Sequence, residues 1–340
     1  MNKKFYFFII FLFITNCSLD TKSGIWSQSK DIVSENKNKK EKLFKKAEIY
    51  EEEFNTDLKI RLKGDLEKKN SNKNLLNNTG IVKFNGQLKK ISKYKFSKID
   101  KFYQYQPELL ITKENTLIFF NDKGTVLNFA KNNKLVWKNN VYSKFEKKQK
   151  PILYFASNDK TLVVTDNLAR YYAININSGK TIWSKSNVAP FNSQVKIFKD
   201  KFFAIDYKNI MRCFNLKDGS ECWNFKTEDS LMMSGSKYSI IIENESVIFN
   251  NSVGDITAID ILTGSLLWQI PTQSSRINNE TYIFRNSKLV SDGNSIFLSN
   301  NKNQFFSISS KLGTINWTNK ISSSLTPVLL DNLIFTISSD

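Results

Sequence analysis

Thr257-Ala258-Ile259-Asp260-Ile261-Leu262-Thr263-Gly264-Ser265-Leu266-Leu267-Trp268 is the stretch on which the reading of the whole chain turns. It alternates apolar and small residues as far as Asp260, whose carboxylate can bond the amides of a following turn. Gly264 supplies the positive φ that a tight hairpin needs, and Trp268 opens the strand that returns. The small side chain of Ala258 allows one sheet to pack closely on the next.

The same arrangement recurs four more times. The copies run from Val126 to Trp137, from Tyr172 through Gly179 to Trp183, from Arg212 through Gly219 to Trp223, and from Phe306 through Gly313 to Trp317. In the first copy Asn133 stands where the others have glycine; Asn is the usual substitute at positive φ. Successive tryptophans lie 46, 40, 45 and 49 residues apart, the period of a four-stranded propeller blade. Upstream of each hairpin come apolar segments suited to the inner strands of a blade: Leu117–Phe120, Thr161–Val164, Lys201–Ile205, Ser246–Phe249 and Ser295–Leu298. The predicted fold is all-β, a β-propeller of four-stranded antiparallel blades over residues 79–340. Each tryptophan is expected to cover the joint between neighbouring blades, burying a large apolar area.

Both ends of this array are incomplete as repeats. Pro327–Leu330 and Leu333–Thr336 read as the first two strands of a further blade, with no hairpin after them. Ile81–Phe84 and Leu88–Phe96, around Asn85-Gly86, read as a hairpin with no inner strands of its own. The expectation is therefore five tryptophan-marked blades and two half-blades.

The first 78 residues have a different texture. Asn2-Lys3-Lys4 precedes an uninterrupted apolar run of ten residues, Phe5–Ile14, too short to span a bilayer and suited to a signal peptide. The run ends at Ile14-Thr15-Asn16-Cys17, which resembles the lipobox of bacterial lipoproteins. Asn16 departs from the small residue usual before the cysteine. The resemblance implies a signal peptide at 1–17, lipidation of Cys17 and, with Ser18 next, sorting to the outer membrane. Residues 18–78 read as a charged tether, partly helical over Lys39–Phe54 and Asn-rich at 71–79.

Composition narrows the function classes. The net charge is +18, yet only five of fifty basic residues are arginine, the side chain best suited to phosphate forks and guanine edges. The lysines are scattered, with no block of five like charges, so no nucleic-acid partner is expected. The chain has no histidine, which removes His-based acid–base catalysis, the Ser-His-Asp and Cys-His arrangements and the usual zinc sites.

Thr257–Trp268 matches the pattern Ala-x-Asp-x-x-Thr-Gly-x-x-x-Trp, so the repeat resembles the quinoprotein-type, PQQ-like propeller repeat. Two families share it: quinone-dependent dehydrogenases, and the BamB-type lipoproteins of the outer-membrane β-barrel assembly machinery. Lipobox, tether and propeller together are similar to the second. That resemblance implies a non-enzymatic scaffold, without cofactor or metal, lipid-anchored at the periplasmic face of the outer membrane. It would assist the assembly of β-barrel proteins by holding the periplasmic domains of the barrel-inserting subunit with its rim loops. The dehydrogenases carry an adjacent-cysteine disulfide over the quinone, and this sequence has no Cys-Cys pair. A quinone-dependent periplasmic oxidoreductase stays as the enzyme alternative, and a propeller for another envelope partner as the third. Truncation of an eight-bladed propeller is favoured over closure as six blades, because the family's usual closure needs the missing blades.

Two connections after tryptophan strands combine proline with apolar or amide groups and are the candidate rim contacts. They are Asn187-Val188-Ala189-Pro190-Phe191 and Ile270-Pro271-Thr272-Gln273-Ser274-Ser275-Arg276, with Asn187, Pro190, Phe191, Pro271, Gln273 and Arg276 as partner-binding residues. Cys213 and Cys222 flank one hairpin symmetrically and are candidates for a cross-strand disulfide in an oxidising compartment. The matching pairs Ala173/Ile182 and Ala258/Leu267 read as core.

Overall fold

The computed structural model describes residues 78–80, 108–228, 237–273, 285–330 and 333–338. The signal segment with Cys17, the expected tether helix, the hairpin of residues 81–96 and Arg276 lie outside these residues.

Five four-stranded antiparallel sheets follow one another, each a meander in chain order. Blade 1 comprises β1 (Leu110–Ile111), β2 (Leu117–Phe120), β3 (Val126–Phe129) and β4 (Leu135–Asn139). Blade 2 follows the five-residue helix α1 (Lys144–Lys148), which Ser143 and Glu146 close in a capping box. It comprises β5 (Leu153–Ser157), β6 (Thr161–Asp166), β7 (Arg170–Asn175) and β8 (Thr181–Ser186). Blade 3 is β9 (Lys196–Phe198), β10 (Lys201–Ile205), β11 (Ile210–Asn215) and β12 (Glu221–Lys226). Blade 4 is β13 (Ile240–Glu243), β14 (Ser246–Asn250), β15 (Ile256–Asp260) and β16 (Leu266–Ile270). Blade 5 is β17 (Val290–Ser291), β18 (Ser295–Asn300), β19 (Gln304–Ser309) and β20 (Ile315–Asn319). A two-stranded sheet, β21 (Val328–Leu330) with β22 (Leu333–Phe335), comes last. The segments read as inner strands are thus second in each sheet. Of the first strands, β1, β9 and β17 are only two or three residues long, while β5 and β13 are apolar runs that lie outside the repeated hairpin pattern.

Sheets stacked face to face must bury both faces, and the middle strands are accordingly apolar at consecutive positions. In β6, Leu162 and Val164 point to the blade 1 side while Val163 points to the blade 3 side. In β10, Phe203 and Ile205 face blade 4, and Phe202 and Ala204 face blade 2. Separate apolar cores therefore fill each joint, including one between blade 5 and β21, where Val290, Phe297 and Phe305 meet Leu329.

The repeat holds each joint with one tryptophan. Trp137, Trp183, Trp223 and Trp268 lie over Gly179, Gly219, Gly264 and Gly313 of the next blade, so close that a Cβ on any of these glycines would sit 2.6 to 2.8 Å from the indole. Each indole Nε1 also donates to a carbonyl just before that glycine: Ile176 at 2.8 Å, Leu216 at 3.0 Å, Ile261 at 3.2 Å and Ser310 at 3.1 Å. The glycine and tryptophan of one copy thus serve different joints. Trp317, with no such hairpin beyond it among the described residues, is 38% exposed and stacks on Phe305 of its own blade.

A second repeated device closes the turn between the second and third strands. Asn121, Asp166, Asp206 and Asn251 each accept two backbone amides through Oδ1, and Asn300 accepts one. Every third-to-fourth strand pairing carries a register shift of the β-bulge kind, as between Cys213 and Phe214. Asn78–Gly80 joins the array from the N-terminal side. The Asn78 carbonyl accepts from Ser291 N at 2.7 Å, and the Thr79 carbonyl accepts from Leu329 N at 2.9 Å.

Candidate interaction surfaces

The loop after β8 is built from inside. Asn187 Nδ2 donates to Ala189 O at 2.8 Å and to Asp206 Oδ2 at 3.2 Å, and its own amide bonds Ala169 O. Its side chain therefore shapes the loop and is not free for a partner. Phe191 corrects the sequence expectation outright: it is 0% exposed and lies between Tyr171 and Phe214, with ring centroids 5.9 and 6.3 Å away. The turn at Pro190 swings Phe191 into the joint between blades 2 and 3, because a phenyl ring there gains more from burial than a solvated loop can offer. The residue this loop does present is Val188, 81% exposed and not chosen from the sequence.

The loop after β16 follows the same logic. Thr272 is buried with Oγ1 donating to Gly254 O at 2.6 Å, and Gln273 Nε2 donates to Val253 O at 2.8 Å. Pro271 is exposed and Pro190 half-buried. The side-chain amides of Asn187 and Gln273 are thus satisfied internally, and Val188 and Pro271 face outward.

The outer strands add a band of exposed apolar residues beside the tryptophans. Val136, Ile182 and Leu267 stand at the bulged positions, and Leu135, Leu266 and Ile315 next to them. Ile182 and Leu267, expected in the core, are 50% and 53% exposed; the bulge turns them outward while Ala173 and Ala258 are fully buried. The same bulge governs Cys213 and Cys222. Cys213 lies opposite Trp223, buried in the joint between blades 3 and 4, whereas Cys222 is exposed. Both are free thiols, so the candidate disulfide is not formed.

The first strands carry polar groups that the repeat does not announce. Tyr154 OH donates to Asn192 Oδ1 at 3.4 Å, and Gln194 Oε1 accepts from Ile240 N at 3.0 Å and from Ser239 Oγ at 3.3 Å. Ser239 Oγ in turn accepts from Leu289 N at 3.0 Å, so blades 2 to 5 are linked near the axis. Three lysines join this chain. Lys196, in β9 opposite Phe203, is 9% exposed. Burial, and then the charge of Lys288, push its ammonium down to about 8. Lys237 pairs with Glu108 and lies 4.8 Å from the Tyr154 ring centroid. Burial lowers Lys288 itself. A sequence signal existed: Lys196 interrupts Val195-Lys196-Ile197 at the position that is Ala156 in blade 2 and Ile241 in blade 4. Among the described residues no three or more Cys, Asp or Glu converge to hold a metal ion.

Residues 122–340 match the family model described as outer membrane protein assembly factor BamB. BamB from Moraxella catarrhalis superposes with a TM-score of 0.51 at 16% identity, covering 66% of this chain and 67% of that one. A computationally designed protein, Ika8, gives 0.52 at 10% identity over 66% of this chain and 65% of its own. An uncharacterized protein of Rickettsia conorii is 20% identical over 207 residues, 55% of this chain and 45% of the relative. The chain thus matches less than half the length of that curated relative.

Proposed function

The chain belongs to the family of outer membrane protein assembly factor BamB, and from that premise we propose that it is a non-catalytic scaffold for β-barrel assembly at the outer membrane. In this reading Cys17 carries a lipid anchor, residues 18–78 tether the propeller on the periplasmic side, and the rim loops hold the periplasmic domains of the barrel-inserting subunit.

The observation that carries the reading is the build of the loops after β8 and β16. Asn187, Thr272 and Gln273 spend their hydrogen bonds inside the protein, leaving Val188 and Pro271 as preset apolar contacts. A surface already ordered before binding loses little entropy on docking. The joints locked by tryptophan keep such loops in fixed relation.

The experiment is a pull-down from solubilised outer membrane with the intact lipid-anchored chain. Co-recovery of the barrel-inserting subunit, reduced by Val188→Asp, is the expected result. Recovery of no barrel-assembly component would overturn the proposal.

A further inference from the structure

We propose that the axis-facing parts of blades 2 to 5 form a binding site for a small oxyanion, a solute bearing carboxylate or phosphate groups, with Lys196 inside and Lys288 and Lys237 around it.

The first support is an ammonium in an expensive place. Lys196 sits in β9 among buried neighbours, and among the described residues no carboxylate, carbonyl or hydroxyl is bonded to it. A buried charge without a counter-charge costs several kcal/mol, of the order of ~2–5 by mutational measures. A lysine is kept there more readily if an anion meets it.

The second is the local charge. Among the described residues Lys237 pairs with one carboxylate, Glu108, which also accepts the Phe155 amide at 2.5 Å, while Lys196 and Lys288 form no ion pair. Lys288 repels both Lys196 and Lys237. The polar network beside them, Gln194, Ser239 and Tyr154, is occupied by its own partners. An oxygen-rich anion placed among the lysines removes the repulsion and gives the Lys196 ammonium an acceptor. The geometry also limits size. Lys288 is exposed and Lys196 is not, so the anion must reach inward past the first strands. A small solute can do so; a protein chain or a membrane surface meets Lys288 alone.

The site differs in place and partner from the rim loops, so its fate is independent of the scaffold reading. The test is calorimetric titration of the purified full chain in detergent with citrate and with inorganic phosphate, at constant ionic strength set by chloride. Saturable binding is expected. It should weaken about tenfold or more in Lys196→Met and less in Lys288→Gln, and stay unchanged in the exposed control Lys217→Gln, as loss of one charge-assisted bond predicts. Binding should also take up protons near pH 8 and fade by pH 9.5, because the anion draws Lys196 into its charged form. No binding of either anion beyond the chloride control would overturn the proposal, as would binding undiminished in both Lys196→Met and Lys288→Gln. Binding of anionic vesicles with no response to the free anions would also overturn it, in favour of a surface lysine effect.

Discussion

Trp183 and Gly219 belong to different blades yet form one contact: the indole covers the glycine so closely that a Cβ there would lie 2.8 Å from its ring, while Nε1 bonds the Leu216 carbonyl three residues earlier. Two demands meet at Gly219, a φ of +69° and the absence of a side chain. Gly219→Ala should therefore cost about 2–4 kcal/mol, part from the left-handed backbone and part from overpacking. Urea unfolding measures it. A double-mutant cycle with Trp183→Leu separates the parts: removing the indole should relieve the overpacking and leave only the backbone cost of about 1 kcal/mol. Additive costs would mean that the contact is not what requires glycine.

Asp206 does more than its sequence position suggests. Fully buried, it accepts Lys208 N and Ile210 N through Oδ1 and meets Arg212 Nε at 2.9 Å and Asn187 Nδ2 through Oδ2. Arg212 itself is buried and reaches on to Glu221 at 2.6 Å. Asp206→Ala leaves that guanidinium without its inner partner and should cost about 3–5 kcal/mol, read as a fall in the denaturant midpoint. Asp206→Asn, which keeps the turn bonds and loses the charge, should cost less. Equal losses from the two would argue that packing alone is at stake.

These two residues mark what was legible in the sequence. The Gly-x-x-x-Trp period identified blades because glycine and tryptophan are rare and each has one dominant structural use. The second period, Asn121, Asp166, Asp206, Asn251 and Asn300, matches that spacing to within one residue. It was hidden because Asn and Asp are interchangeable at such turns and common elsewhere in an Asn-rich chain. Burial in the loops was least legible. Phe191 follows a proline in a connection and looks exposed; only Tyr171 of blade 2 and Phe214 of blade 3 show that it is core. The first strands were missed for a related reason. Lys196 breaks the apolar pattern of β9, and that break is what makes the axis a candidate site.

The two cysteines should react unequally. Cys222 is exposed, while Cys213 is buried in the blade 3–4 joint, where burial first and the nearby Cys222 second push its thiol well above the ordinary range. Thiolate is the reactive form, so an alkylating reagent at pH 8 should label Cys222 on the native protein and Cys213 only after unfolding. Peptide mapping by mass spectrometry checks this. Equal native labelling would show that the joint opens readily.

Rim recognition and core packing should separate along one loop. Phe191→Ala removes a ring that is fully buried and should cost about 3–5 kcal/mol in stability. Val188→Asp, three residues earlier on the surface, should leave the melting temperature within about 1–2 °C, as surface changes usually do, yet weaken recovery of the barrel-inserting subunit. If Val188→Asp leaves recovery intact in a stable protein, the contact lies elsewhere, and the exposed band at Leu135, Ile182 and Leu266 becomes the next surface to mutate.

Lys196 ties stability to pH in a direction opposite to that of a salt-bridged lysine. Its ammonium is pushed down to about 8 in the folded protein, against an ordinary 10.5 in the unfolded chain. Between those values the unfolded chain holds more protons than the folded one, so stability rises with pH across the window. Below about pH 8 the lysine is charged in both states and the full cost of burying it is present. Lys196→Met keeps the length and apolar contacts of the side chain without the charge. In the absence of added anions it should stabilise the protein by about 1–4 kcal/mol at pH 7, with the gain shrinking toward pH 10. The buried tyrosines Tyr142 and Tyr172, raised chiefly by burial, work the other way only as pH approaches their ordinary 10. Urea unfolding of both proteins from pH 7 to 9.5 cancels that shared contribution. A difference that stays constant with pH would mean that Lys196 is not buried as a charge. A variant less stable than the parent at pH 7 would mean that the ammonium has a partner within the protein.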